Sequence, residues 1–202
     1  MQILYSPLSP FVRKCLVTAI ELGLGDRIER VPVTVTPITR VQEVVSRNPV
    51  GKIPALITDD GQTLYDSAVI CEYLDSLGGG RLIPASGNAR WQRLTEQALA
   101  DGLMDAAVLL RYETALRPES CRWPEWVGGQ TAKIVGSLDA MEAAAASYGE
   151  RIDIGTISAG CALGYLDLRF PVLGWREARP VLAKWFDGFV QRDSMQATRA
   201  EV

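Results

Sequence analysis

Histidine is absent from all 202 residues. That absence removes Ser-His-Asp and Cys-His hydrolases, histidine acid/base chemistry and the common catalytic zinc sites, so any reacting group here needs another route to activation. Cysteine is scarce and dispersed: Cys15, Cys71, Cys121 and Cys161 form no Cys-x-x-Cys pair. Neither a thioredoxin-type dithiol motif nor a cysteine-rich zinc site is available, no metal site is expected, and the four read as reduced, partly buried thiols. Charge of one sign is also lacking. A formal charge of -3 and a pI near 5.1 give no general attraction for phosphate backbones or anionic lipid, which argues against nucleic acid and membrane as partners. No apolar run approaches the roughly 18 residues that span a bilayer, and Met1 to Tyr5 lacks the basic and apolar regions of a secretion signal. A cytoplasmic location is therefore the expectation.

What is present is ordinary globular material, 48% hydrophobic and 22% charged, long enough for two small cores. Gln2 to Tyr5 reads as a short strand, and Ile28 to Val35 alternates as a half-buried strand does. Between them Phe11, Cys15, Thr18 and Leu22 recur at helical spacing from Pro10 to Leu22, which predicts a β-α-β unit with parallel strands. Ile53 to Thr58 and Thr63 to Tyr65 flank Asp59-Asp60-Gly61-Gln62, a turn that predicts an antiparallel hairpin. A helix from Ser67 to Leu77 follows and stops at Gly78-Gly79-Gly80.

Residues 78–88, rich in Gly, Pro and Ser, read as a linker between a domain at 1–77 and one at 89–202. Strand patterns are missing beyond it. Trp91 to Arg117 is helical in pattern, and Ile134, Leu138, Met141, Ala145 and Tyr148 form a core stripe. Ile157 to Leu168 is apolar on nearly every face and reads as a central buried helix. Arg179 to Val190 supplies a further helix, and the tail is polar.

Three short segments carry chemistry. In Ser6-Pro7-Leu8-Ser9-Pro10-Phe11-Val12-Arg13, Pro10 suits the first helical position, so Ser9 falls at the N-cap. Its hydroxyl either only caps the helix or also stands beside the positive end of the helix dipole, where a thiolate could sit. In Asn48-Pro49-Val50-Gly51-Lys52-Ile53-Pro54, Pro54 either begins a strand or follows a cis peptide bond. In the second case Ile53 turns its N–H and C=O toward an extended peptide. In Tyr65-Asp66-Ser67 a strand runs straight into a helix. Asp66 and Ser67 are caps, or they bind a ligand carrying both an ammonium and a carboxylate.

In this order and spacing the three segments resemble the glutathione S-transferase family, over essentially the whole chain. Ser9-Pro10-Phe11-x-Arg13 is similar to the opening of its serine-dependent, cytosolic bacterial members, Pro49-x-Gly51-Lys52-Ile53-Pro54 to its cis-proline segment, and Asp66-Ser67 to its γ-glutamyl site. The resemblance implies an α/β thioredoxin-like N-terminal domain (β-α-β-α-β-β-α), an all-α C-terminal domain, and glutathione as co-substrate. It implies that Ser9 donates to the sulfur of glutathione, Ile53 pairs with the cysteinyl backbone at Pro54, Asp66 and Ser67 hold the γ-glutamyl group, and Lys52 reaches the glycine carboxylate. Phe11 lies by the tripeptide and, with Leu8, Leu103, Met104 and Tyr112, lines a pocket for a small hydrophobic electrophile.

The resemblance also implies a homodimer, with Asp101 or Asp105 a candidate to reach the ligand's amino group from a neighbouring subunit. A glutathione-dependent thiol-disulfide reductase usually has cysteine at the Ser9 position, and Cys15 reads as a packed thiol. A non-catalytic module of the same architecture is the alternative. One departure concerns the buried helix, where the family has Ser/Thr-x-x-Asp: Thr156 is followed three residues later by Ala159, which predicts that no reciprocal side-chain cap forms.

Overall fold

The computed structural model describes residues 1–200. They form two compact units, one of residues 1–91 joined by the segment from Asp193 onward, the other of Gln92–Arg192.

In the first unit, β1 (Gln2–Tyr5) leads through the Ser9 turn into α1 (Pro10–Glu21) and returns in β2 (Glu29–Pro32). β1 and β2 are parallel, with Ile3 opposite Arg30, as a strand-helix-strand crossover requires. A single helical turn, α2 (Gln42–Val45), precedes the hairpin β3 (Leu56–Ile57) and β4 (Thr63–Leu64), and α3 (Ser67–Leu77) closes the unit's α/β part. The sheet order is β2-β1-β3-β4, with β3 antiparallel to both neighbours. The paired strands are shorter than their sequence patterns because β1, which pairs with both β2 and β3, is itself only four residues long.

Leu4, Val44 and Ala55 form an apolar cluster that also gathers Val31, Val33, Ile53 and Ile57. α1 packs on α3, and the approach is close at Gly78, where a Cβ would stand 2.5 Å from Leu22 Cδ2. Asp75, buried in the last turn of α3, accepts the N–H groups of Leu82 and Ile83 at 2.8 and 3.0 Å and so fixes the chain leaving the helix.

Helix α4 (Gly87–Ala115) is followed by α5 (Pro124–Tyr148), α6 (Ile154–Arg169), the short α7 (Trp175–Ala178), α8 (Pro180–Phe189) and the one-turn α9 (Asp193–Gln196). All five residues of the α5 stripe are buried. α6 is buried nearly all round, as its uniform apolarity predicts, but it begins at Ile154 rather than Ile157. That shift corrects the expectation for its cap. Asp153, not Thr156, is the N-cap; its carboxylate accepts Thr156 N–H at 3.0 Å while Thr156 Oγ1 accepts Asp153 N–H at 3.1 Å. A reciprocal capping box forms after all, with Asp before Thr. Arg93 and Arg151 stand 3.2 and 3.1 Å from the same aspartate, and both also pair with Glu96.

The polar tail is not idle surface. Arg13 of α1 donates to the Met195 carbonyl at 2.9 Å and to Thr198 Oγ1 at 3.4 Å, and Ser194 donates to Glu21 at the other end of the helix. Ser194 and Met195 are buried as a result.

Candidate functional site

Strand register brings the three segments to one end of the sheet. Ile3 lies opposite Leu56, and Leu4 N–H donates to Ala55 C=O at 2.9 Å, so the ladder runs on toward Tyr5 and Pro54. Leu56 in turn lies opposite Leu64, which puts Tyr65 and Asp66 beside Ala55 and Pro54. The turn holding Ser9 leaves from the end of β1, Ile53 and Pro54 lead into β3, and Asp66 leaves from β4. Three adjacent strands span about 10 Å at about 4.8 Å per step.

Ser9 is half-buried and occupies the N-cap of α1, in extended backbone geometry. Its Oγ accepts the Val12 N–H at 3.3 Å and its carbonyl accepts the Arg13 N–H at 3.0 Å. The cap uses the oxygen, so the hydroxyl hydrogen remains to be donated. No acidic side chain stands in the first turn of α1, leaving the partial positive charge of the helix end uncancelled there. Phe11 is half-buried, with the ammonium of fully buried Lys14 6.0 Å from its ring centre.

The second segment is built on Asn48. Buried at 3% exposure, its Nδ2 donates to the Lys52 carbonyl at 2.9 Å and its Oδ1 accepts the Val50 N–H at 3.0 Å. Gly51, at φ +74°, takes the left-handed conformation this turn demands and donates to the Asn48 carbonyl at 2.8 Å. Lys52 is exposed, Ile53 half-buried and Pro54 buried, and the Ile53–Pro54 bond is cis.

At the third segment a second cis bond joins Tyr65 to Asp66. Asp66 is exposed and caps α3, its Oδ1 accepting Ala68 N–H at 3.0 Å. Ser67 is buried, and its carbonyl accepts the thiol of Cys15 at 3.8 Å. Asp101 is half-buried and Asp105 exposed on α4.

Ser9, Ile53–Pro54 and Asp66–Ser67 therefore share one end of the sheet. Residues 8–77 match the family model for the glutathione S-transferase N-terminal domain and residues 124–188 that for its C-terminal domain. The uncharacterized GST-like protein YibF of Escherichia coli is 31% identical over 202 residues, 98% of either chain. The chain belongs to the glutathione S-transferase family.

Within that family, a member from Pseudomonas fluorescens Pf-5, crystallised with bound glutathione, is 48% identical, with a TM-score of 0.97 and 100% and 99% of the two chains covered. Human elongation factor 1-gamma is 24% identical over 166 residues, 81% of this chain and 37% of that protein. All seven candidate residues, Ser9 to Ser67, fall within the stretch matched as the N-terminal glutathione S-transferase domain. Two supports of the site escaped the sequence reading. Asn48 was open to discovery as an Asx turn ahead of Pro49, whereas the contact of Cys15 with Ser67 depends on which residues of α3 face α1 and has no local signal.

Proposed function

We propose that the protein is a glutathione transferase that joins the thiolate of glutathione to a small hydrophobic electrophile, with Ser9 as the thiol-activating residue. The observation that carries this reading is the division of labour at Ser9: the oxygen is engaged by Val12 N–H at 3.3 Å and the hydrogen is available to a sulfur. The capping role and the catalytic role use different atoms, so one does not compete with the other.

Extent supports the assignment of the rest. A fully extended tripeptide reaches about 10 Å, the width of the three strand ends, so a ligand whose sulfur meets Ser9 has Ile53 and Pro54 along its backbone and Asp66 and Ser67 at its γ-glutamyl end. Lys52 is exposed on the preceding turn, suited to the glycine carboxylate. Phe11 flanks the sulfur's turn. The bound glutathione of the Pseudomonas relative favours the same ligand here.

The energetics are sufficient without histidine. A thiol titrates near about 8.5, and lowering it by about two units requires about 2.7 kcal/mol in favour of the anion. A hydrogen bond to a charged group supplies about 1.5–3 kcal/mol and a helix N-terminus about 0.3–1 kcal/mol. The thiolate then attacks the electrophilic carbon, the new C–S bond forms as the leaving group departs, and the hydroxyl keeps donating to the sulfur. The reading includes a homodimer and a cytoplasmic location; no helix of the described residues is long and apolar enough to cross a membrane.

Calorimetric titration of glutathione into wild type and Ser9→Ala, with conjugation to an aryl halide as the assay, tests the reading. Binding kept and turnover reduced about 10- to 150-fold in the variant is the expected result, equivalent to the lost charged hydrogen bond. Turnover unchanged in the variant overturns the role of Ser9. The likeness to elongation factor 1-gamma favours a second reading, a non-catalytic binding module on the same fold; wild type that binds no glutathione decides for it.

A further inference from the structure

Cys15 on α1 and Cys71 on α3 are both completely buried, and their sulfurs lie 4.0 Å apart. They belong to a chain of sulfur and oxygen contacts in which Thr18 Oγ1 stands 3.4 Å from Cys71 Sγ, Cys71 Sγ donates to Cys15 Sγ, and Cys15 Sγ donates to the Ser67 carbonyl at 3.8 Å. The two helices involved pack on each other, and each begins at a candidate ligand residue, α1 after Ser9 and α3 after Asp66. A disulfide needs sulfurs about 2.05 Å apart, so each must move by about 1 Å along the line already joining them.

We propose that Cys15 and Cys71 are a reversible redox site, oxidised by hydrogen peroxide to a disulfide that ties α1 to α3 beneath the two ends of the ligand site. The Cys71 sulfur attacks peroxide, forming an S–O bond as the O–O bond breaks; one oxygen leaves as water with the thiol's proton. The Cys15 sulfur then attacks the sulfenic sulfur, the S–S bond forms, the S–O bond breaks, and the second oxygen leaves as water with the Cys15 proton. Two thiols lose two electrons and two protons, and one peroxide becomes two waters. Oxidation removes the thiol hydrogen that Ser67 C=O accepts and pulls the start of α3 toward α1. Its effect on ligand binding rests on the glutathione reading; the bridge itself does not.

The full chain carrying Cys121→Ser, which deletes the one exposed cysteine, is treated with hydrogen peroxide, alkylated and digested for mass spectrometry. The expected product is a Cys15–Cys71 linked peptide lighter by two hydrogens, abolished by dithiothreitol and absent from Cys15→Ser and Cys71→Ser. Recovery of both residues as alkylated thiols, or as separate sulfinic acids, overturns the proposal. Titration with S-methylglutathione, which has no thiol to reduce the bridge, reads the consequence: binding about tenfold weaker in the oxidised form. Equal affinity in the two forms overturns that consequence. Failure of the reduced form to bind counts against the glutathione reading, while the linked peptide still decides the bridge.

Discussion

Ser9 and Asn48 show how single polar side chains set this site. Asn48 is buried and spans the turn with two hydrogen bonds, to Lys52 C=O and from Val50 N–H. Removing its amide strands both partners, so Asn48→Ala is expected to cost about 1–3 kcal/mol of stability and to weaken glutathione binding through Lys52 and Ile53. Thermal unfolding and calorimetry of the variant read the two effects. Asp59 offers a second test at this scale. Hydrogen bonds from the Met1 ammonium, at 2.6 Å, and from Arg27, at 3.0 Å, hold its carboxyl below the usual carboxylate range. A carboxyl pKa lowered by folding contributes stability that is present above the unfolded value of 3.8 and lost as pH falls through the folded one. The Tm difference between wild type and Asp59→Asn is therefore expected at pH 6 and should shrink as pH falls below 3.8; a difference constant from pH 6 to pH 2 contradicts the pairing.

Helices were far more legible than strands. α1 and α3 each carry a strong stop or start signal, Pro10 after Ser9 and the glycines after Leu77, and a stripe with helical period; their limits match the pattern within one residue. β3 and β4 pair over only two residues each, and a ladder that short is set by its neighbours rather than by alternation. The start of α6 was misread because the sequence offers Thr156 as a cap, and only the fold shows Asp153 taking that place with Arg93 and Arg151 beside it. Asp153→Ala removes the cap and leaves two guanidinium groups with Glu96 as the one carboxylate they share. A loss of about 1–3 kcal/mol is expected, or a Tm lower by about 2–10 °C; scanning calorimetry measures it.

Across the whole chain, an exposed apolar strip remains on the first unit: Tyr65, Val69 and Leu77 on and before α3, and Trp91, 64% exposed, at the start of α4. Arg90 pairs with Glu72 at 2.6 Å, which ties that end of α4 to α3. A second copy of the chain is the proposed partner for it. Light scattering should give twice the 22.1 kDa chain mass, and Val69→Glu, which places a charge in the strip, should shift the species toward monomer; a monomeric wild type refutes the homodimer.

Local patterning by itself determined the family resemblance, the α/β-then-helical order and the identity of the candidate residues, because helix period, Pro and Gly punctuation and short motifs are properties of neighbours in the chain. Tertiary structure decided what no neighbour encodes. Only strand register brings Ser9, Ile53 and Asp66 to one sheet end. Only packing buries the polar tail on α1 through Arg13 and Glu21, and only the meeting of α1 with α3 sets Cys15 against Cys71. These join residues 13 to 185 positions apart, beyond the helical turn and strand alternation that local pattern encodes.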